Sequence, residues 1–183
     1  MKGSAKPIGD FGPLFKQTEL AAYLEGGPPA VLLQDASADS FKAIHGTSPG
    51  ETIFRSGGTG FDATAVSTID LGALPKDVAF MVFTLGNLGG SKVGRCVVGC
   101  SNQADVQVNE RSVSRRHAVI ERIADEYYVE DNQSTHHTLI NNQILLPGRR
   151  HRLSPGERVT LGTVDLTFLD PVGFFHFVRT FLA

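Results

Sequence analysis

Short apolar segments separated by turn residues recur from residue 78 to residue 169, and this pattern constrains the fold most strongly. The segments are 78–85, 92–93, 106–108, 118–123, 127–129, 138–140, 144–145, 158–161 and 164–169. In the last of them, Val164, Leu166 and Phe168 alternate with Asp165 and Thr167, which is the period of a half-buried strand. Many short strands joined by turns predict an all-β sandwich or barrel.

Two local signals add a hairpin and a helix to this pattern. Asn141 and Asn142 stand between two predicted strands, and they predict a tight hairpin because asparagine tolerates the positive φ of primed turns. Asp170 and Pro171 suit the N-cap and the first position of a helix. An apolar stripe then follows at helical spacing: Phe174, Phe175, Val178, Phe181 and Leu182. We expect this helix to pack on the domain, with a dimerising or partner-docking helix as the alternative.

Residues 1–75 have a looser, mixed pattern. Thr18 is a candidate N-cap for a helix over residues 18–25, and strands are expected at 30–33 and 52–54. The Gly- and Ser-rich stretch 56–68 is expected to be a loop, since no Gly-Lys-Ser/Thr follows its glycines as a phosphate loop requires. We therefore expect a mixed α/β extension, to which the sequence assigns no role.

Composition excludes several classes of function. The chain has 183 residues, and 17 Lys and Arg against 19 Asp and Glu leave a net charge of −2, which gives no overall attraction to nucleic acid or to an acidic membrane. Two cysteines make no disulfide framework and favour a reducing compartment. The first residues lack the apolar core of a signal peptide, and no apolar run approaches the ~20 residues of a membrane span. We expect a soluble cytoplasmic protein with no nucleic-acid or membrane partner.

Residues that carry chemistry collect between positions 92 and 169 in a fixed order. They are Gly94-Arg95, Ser-Arg-Arg-His at 114–117, Ser-Thr-His-His-Thr at 134–138, Asn-Asn at 141–142, Leu-Ser-Pro-Gly-Glu at 153–157, and Leu-Gly at 161–162. In this order and at these separations the set resembles the forkhead-associated (FHA) domain, a β-sandwich that binds phosphothreonine peptides. The resemblance covers residues 78–170, about half of the chain.

The resemblance implies a set of ligand-binding residues. A phosphothreonine carries roughly −1.5 to −2 charge and three acceptor oxygens, so its site needs a guanidinium and short donors on rigid loops. By position, Arg95 and Ser114 would hold the phosphate, Arg115 and Thr135 would assist, and His136 would flank the peptide chain. Three charge-assisted hydrogen bonds of roughly 1.5–3 kcal/mol each, less the cost of ordering a flexible peptide, predict roughly micromolar affinity.

The same resemblance implies three residues with a structural role. His117 would brace the loop that bears the serine, a role that also fits a lone histidine in an apolar context. Asn141 would brace its turn and a neighbouring loop. Gly94 would keep the backbone close to the phosphate.

The chain departs from the family pattern at four places, the mildest being Asn142, which stands in the hairpin where glycine is usual. His136 stands where asparagine is usual and His137 where glycine is usual, and a β-carbon at a glycine position costs ~1 kcal/mol if φ is positive there. The segment after Arg95, residues 96–104, is expected to be a longer loop than in the family.

The sequence gives less support to a metal site, a disulfide or catalysis. Cys96, Cys100, His136 and His137 could together bind zinc, but they lack the usual ligand spacing, so we expect no metal and two ordinary thiols, with a Cys96–Cys100 disulfide as an alternative. The basic cluster at 149–152 is expected to be a solvated loop before a strand. No nucleophile with a placed base is evident, so we expect no catalysis and no cofactor.

The sequence thus predicts a mainly β protein with three parts. These are the extension 1–75, an FHA-like antiparallel β-sandwich over 76–170, and an amphipathic helix over 171–183 packed on the domain. The predicted function is a non-catalytic module that recognises phosphothreonine on a partner protein, such as a Ser/Thr kinase or its substrate. The alternative is a phosphate-independent scaffold or a homo-oligomer formed through the C-terminal helix.

Overall fold

The structure is a computed structural model that describes residues 5–15, 18–35, 80–88 and 93–181. The strands in these ranges are β1 Ala5–Pro7, β2 Val31–Asp35, β3 Phe80–Thr84, β4 Val93–Gly99, β5 Val106–Gln107, β6 Ala118–Ile123, β7 Glu126–Asp131, β8 Thr138–Ile140, β9 Gln143–Leu145, β10 Arg150–Leu153, β11 Arg158–Leu161 and β12 Val164–Leu169. The α-helices are α1 Gly12–Phe15, α2 Leu20–Glu25 and α3 Pro171–Phe181, with short 3-10 turns at Ile8–Phe11 and Gly86–Leu88.

The strands form two sheets, which confirms the predicted β-sandwich. The larger sheet has the order β1-β3-β2-β12-β11-β8-β9, with every neighbouring pair antiparallel. The smaller sheet has the order β10-β7-β6-β4-β5, and only the short β4–β5 pair is parallel. The sheets pack through a shared core in which, for example, the Tyr127 and Phe168 ring centroids lie 5.2 Å apart.

The larger sheet is buried on both faces where β2 and β3 lie. Leu32 and Phe83 point into the core between the sheets, whereas Val31, Leu33 and Val82 point to the opposite face. This explains why these strands read as continuous apolar runs rather than as alternating ones. Strand β2 pairs with both β12 and β3, so a strand from the first 75 residues lies inside the sandwich sheet.

Helix α3 covers that opposite face. Phe174, Phe175, Phe177 and Val178 are buried there together with residues of β2, β3 and the N-terminal turns. Asp170 caps the helix as predicted, since its carboxylate Oδ1 accepts a hydrogen bond from the Gly173 amide at 2.7 Å. The aromatic stripe of α3 is therefore covered by this chain's own residues.

Several predicted elements differ from the structure. The basic cluster at 149–152 was predicted to be a loop, which is wrong, because Arg150–Leu153 is strand β10 paired with β7. The loop predicted over 96–104 is also wrong at its start, because β4 continues to Gly99. The N-cap of α2 is Glu19 rather than Thr18. The strand predicted at 52–54 and the loop at 56–68 lie outside the described residues.

The Asn-Asn hairpin is confirmed. Ile140 pairs with Gln143, which leaves a two-residue turn, and Asn141 and Asn142 have φ of 49° and 69°. Both values lie in the left-handed region that a primed turn requires. Among the described residues, no helix is both long and apolar enough to cross a membrane.

Candidate functional site

Loops from three neighbouring strands meet at one end of the sandwich. Val98 of β4, Ala118 of β6 and Asp131 of β7 lie in register on adjacent strands. The connections that leave or enter these strands here are residues 100–105, 108–117 and 132–137. We call this the site end, because it brings together the predicted Ser114, Arg115, Thr135 and His136 loops.

Ser114 and Thr135 contact one another across two of these loops. The Thr135 amide donates to the Ser114 Oγ at 3.0 Å, and the two hydroxyl oxygens lie 3.4 Å apart. Thr135 is exposed and Ser114 is half-buried, so both hydroxyls lie at the surface. The Thr135 amide therefore orients the Ser114 hydroxyl, and the pair places two hydroxyl groups at one point, which are short donors of the kind that a phosphate group binds.

His117 lies fully buried beneath this pair. The Ser114 amide donates to its Nδ1 at 3.0 Å, so Nδ1 carries no proton, and Nε2–H then donates to the His137 carbonyl at 3.0 Å. Burial lowers the pKa of His117, which outweighs the opposing effect of the bond to His137. A neutral ring therefore ties the Ser114 loop to the Thr135 loop, as a structural brace would.

Asp131 holds the 132–137 connection in place through hydrogen bonds. Its buried carboxylate accepts hydrogen bonds from the Ser134 amide at 3.1 Å, the Ser134 hydroxyl at 2.6 Å and the Thr138 hydroxyl at 2.8 Å. Burial raises the pKa of Asp131, but these hydrogen bonds outweigh it and hold the pKa below its usual value. Asp131 is not among the site residues predicted from the sequence, although its position three residues before Ser134 was the available signal.

The turn between β11 and β12 supports both loops from the other sheet. The Gly162 amide donates to the His137 carbonyl at 3.1 Å, and the Thr163 amide donates to the Ser112 Oγ at 3.1 Å. Gly162 has a φ of +63°, and a β-carbon there would lie 2.5 Å from the Ser112 carbonyl oxygen. Only glycine fits this turn. The turn bonds both the 108–117 and the 132–137 connections and so holds them together.

Arg95 lies away from the site end. It is the third residue of β4, opposite Glu121, and its Nε lies 3.6 Å from the Glu121 carboxylate. Gly99, where the strand reaches the site end, is four residues further on, about 13 Å along the backbone. The structure therefore brings Ser114, Arg115, Thr135 and His136 to one end of the sandwich and does not bring Arg95 to them.

Glu121 and its neighbours form a charged ladder on the outer face of the smaller sheet. Glu121 also pairs with Arg150 at 3.0 Å, and Arg150 contacts Glu130 at 3.3 Å. This ladder accounts for Arg95 without a ligand.

A close backbone approach to the Ser114 loop occurs at Gly99, not at Gly94. A β-carbon on Gly99 would lie 2.3 Å from the Arg115 carbonyl oxygen and 2.9 Å from that of Ser114. The next residue, Cys100, donates its amide to the Ser114 carbonyl at 3.0 Å. The end of β4 and the residue after it, Gly99 and Cys100, thus lie beside Ser114, whereas Gly94 lies opposite Arg122 within the strand.

The two unusual histidines are both exposed, and they differ in backbone conformation. His137 has a φ of +62°, so the strained geometry expected at this position is present. Its carbonyl nevertheless serves both His117 and Gly162. Asn141 also braces a neighbour, since its Oδ1 accepts from the Arg158 amide at 3.0 Å and its Nδ2 donates to Glu157 at 3.1 Å.

The cysteines do not form a disulfide, and the zinc alternative gains no support. Both are free thiols, and burial, followed by the nearby Asp105 charge, raises the pKa of Cys96 to about 12. Over the described part of the chain, no three metal-binding side chains come together.

Comparison with known proteins gives one family and two curated relatives. The FHA domain family model matches residues 96–162. The chain is 31% identical over 101 residues to the oxoglutarate dehydrogenase inhibitor of Corynebacterium jeikeium, covering 53% of this chain and 68% of that protein. It is 55% identical over 62 residues to protein FraH of Nostoc sp., covering 33% of this chain and 22% of FraH. The chain thus spans less than a quarter of the length of FraH.

Solved structures include similar folds. The FHA domain of the CT664 protein from Chlamydia trachomatis aligns with a TM-score of 0.44 and 19% identity, over 77% of this chain and 97% of that domain.

Proposed function

This chain belongs to the FHA domain family, and on that premise we propose that its site end is a non-catalytic reader of phosphothreonine on a partner protein. FHA domain homologues are phosphothreonine-binding modules in signalling. The observation that carries the proposal is the contact between Ser114 and Thr135, whose two hydroxyls lie together over the buried His117 and are held in place by the bond from the Thr135 amide to the Ser114 Oγ. This arrangement supports a phosphate held by short donors on loops whose positions are fixed before the ligand arrives.

The positive charge for the phosphate comes, in this proposal, from Arg115. Arg115 is exposed and follows Ser114 directly, and no described carboxylate pairs with it. Arg95 is not assigned to the phosphate, because it lies on the outer face of the smaller sheet and pairs with Glu121. His136, exposed next to Thr135, would flank the peptide chain.

The partner is a threonine-phosphorylated protein, namely a Ser/Thr kinase or one of its substrates in the cytoplasm. One relative is named as an inhibitor of oxoglutarate dehydrogenase, and that name supports a regulator that acts by binding another protein. No catalytic step by this chain is required.

Fluorescence anisotropy with a degenerate phosphothreonine peptide library and its unphosphorylated twin tests the proposal. We expect saturable binding of the phosphorylated library only. Ser114→Ala should weaken binding by at least about tenfold, since a hydrogen bond to a charged group is worth roughly 1.5–3 kcal/mol. Arg115→Ala should weaken binding similarly.

Two controls locate the site. Ser101→Ala removes a hydroxyl from the adjacent 100–105 loop that accepts a hydrogen bond from the Gln103 amide at 3.1 Å, and it should leave affinity unchanged. Arg95→Ala should also have little effect. Equal binding of the two libraries would overturn the proposal, and a loss confined to Arg95→Ala would move the phosphate to the outer face of β4.

A phosphate-independent scaffold is the second candidate, and one observation favours it. The residue that follows β4 beside Ser114 is Cys100 rather than a cation, so the site end has one charged donor fewer than expected from the sequence. If the library does not bind, and light scattering shows a stable dimer that phosphopeptides do not affect, the scaffold replaces the reader.

A further inference from the structure

The described arginines divide into two groups by their ionic partners. Five pair with a carboxylate: Arg95 with Glu121, Arg122 with Asp125, Arg150 with Glu121 and Glu130, Arg152 with Glu126, and Arg158 with Asp165. The other five have no carboxylate partner among the described residues: Arg111, Arg115, Arg116, Arg149 and Arg179. Of these five, Arg179 lies on α3, where its guanidinium stacks over the Phe175 ring at 5.6 Å.

The remaining four unpaired arginines are all exposed and all lie at the site end. Arg111, Arg115 and Arg116 belong to the 108–117 connection that carries Ser114. Arg149 reaches the same end by strand register. Leu145 of β9 pairs with Thr138, which follows the site loop, and Arg150 of β10 pairs with Glu130, which precedes it. The connection 146–149 between those strands therefore turns beside the Thr135 loop.

Two acidic residues near these arginines have other partners. Asp131 is buried and bonded to Ser134 and Thr138, and Asp105 accepts a hydrogen bond from the Val97 amide at 2.8 Å. Among the described residues, the site end thus presents four exposed guanidinium groups without a carboxylate partner.

We infer that the peptide recognised at the site end carries further anionic groups beside its phosphothreonine, and that Arg111, Arg116 and Arg149 select for them. This inference rests on the proposed function, since it assigns flanking residues to the same ligand. Arg115 is left to the phosphate itself. The shared chemistry is a second negative charge, supplied either by Asp and Glu or by a second phosphorylated residue.

The charge pattern supports selection because unpaired surface charges are available without first breaking an ion pair. The paired arginines of the sheet would have to leave Glu121, Glu126 or Glu130 before they could bind an anion. Charge complementarity of this kind acts on partner choice and association rate, and it weakens as salt screens the charges.

Anisotropy at low ionic strength with three phosphothreonine peptides tests the inference. They have neutral flanks, Asp and Glu flanks, or one flanking phosphoserine, and each has an unphosphorylated-threonine twin. We expect the two anionic phosphopeptides to bind about tenfold more tightly than the neutral one. In the triple variant Arg111→Gln, Arg116→Gln, Arg149→Gln, this advantage should fall to about twofold or less, while binding of the neutral phosphopeptide changes by less than about threefold.

The control is Arg179→Gln, which removes one charge from an arginine on α3 that pairs with no described carboxylate, and it should keep the full advantage. An advantage shared by both anionic peptides, or confined to the doubly phosphorylated one, supports the inference and identifies the source of the second charge. Equal affinity for the neutral and anionic phosphopeptides overturns the inference and leaves the proposed function standing. If no phosphopeptide binds better than its unphosphorylated twin, the proposed function fails and this inference fails with it.

Discussion

At the scale of single residues, the site depends on the protonation state of one buried ring. His117 accepts from the Ser114 amide and donates to the His137 carbonyl, and only the neutral Nε2–H form can do both. A protonated ring would place a donor against the Ser114 amide. The geometry of the phosphate loop is therefore linked to the pKa of His117.

This linkage predicts a loss of stability in mild acid. Because folding lowers the pKa of His117 below the usual 6.5, the unfolded chain takes up a proton first, and stability falls as pH drops below about 6.5. Asp131, whose pKa is lowered in the fold, adds stability that is lost only below its usual 3.8. We expect urea unfolding to give a lower free energy at pH ~5.5 than at ~7.5.

Two histidine variants check the source of that change. His117→Ala should be less stable at pH ~7.5, by about 2–4 kcal/mol for two lost buried hydrogen bonds, and should show a smaller drop towards pH ~5.5. His176→Ala, at an exposed position of α3, should keep the wild-type drop. An unchanged pH dependence in His117→Ala would contradict the assignment.

At the scale of elements, the β7–β8 connection combines a strained backbone with a required carbonyl. His137 holds a φ of +62° while its carbonyl serves His117 and Gly162, so the strain is balanced by two hydrogen bonds rather than by its side chain. A glycine there would keep both bonds and remove the steric cost.

The adjacent histidines provide a matched pair of variants. His137→Gly should raise the free energy of unfolding by about 0.5 kcal/mol, because relief of left-handed strain exceeds the added entropy of the unfolded chain. His136→Gly, where φ is not positive, should lower it by roughly 0.5–1 kcal/mol. Urea titration of both variants measures the difference, and a loss of stability in both would show that residue 137 is not strained.

At the scale of the whole molecule, the described residues form two hydrophobic cores that lie in different layers. One lies between the sheets and positions the site loops, and the other lies between the larger sheet and α3. Phe15, Phe174 and Phe175 meet in the second core, with ring centroids 5.5–5.6 Å apart for the two pairs that include Phe15. Because these rings are buried in a core that does not include Ser114 or Thr135, we expect the second core to contribute stability and not ligand contacts.

Truncation of this core should separate stability from binding. Phe175→Ala should cost about 3–5 kcal/mol, whereas Phe181→Ala, at the half-buried end of α3, should cost less. Where the variants remain folded, both should bind a phosphothreonine peptide as tightly as the wild type. A change in affinity without unfolding would show that α3 communicates with the site end.

The sequence predicted most strands because their period and turns are local properties. It did not predict β10, because Arg150 and Arg152 are exposed on an edge strand where cross-strand ion pairs replace apolar alternation. For a related reason, the sequence did not show that Arg95 lies away from the site end. How far β4 runs before it turns is set by its pairing with β6, and a sequence with two Gly-x pairs, at 94 and 99, does not show which one reaches the loops.

The position of the bound phosphate decides whether the site end is the phosphothreonine site. Backbone amide NMR spectra recorded while a phosphothreonine peptide is added report which loops it touches. We expect the largest shifts at Ser114, Arg115 and Thr135, with the unphosphorylated twin causing none and Arg95 changing little. Shifts centred on Gly94, Arg95 and Glu121 would place the ligand on the outer face of β4 and contradict a phosphothreonine site at the site end.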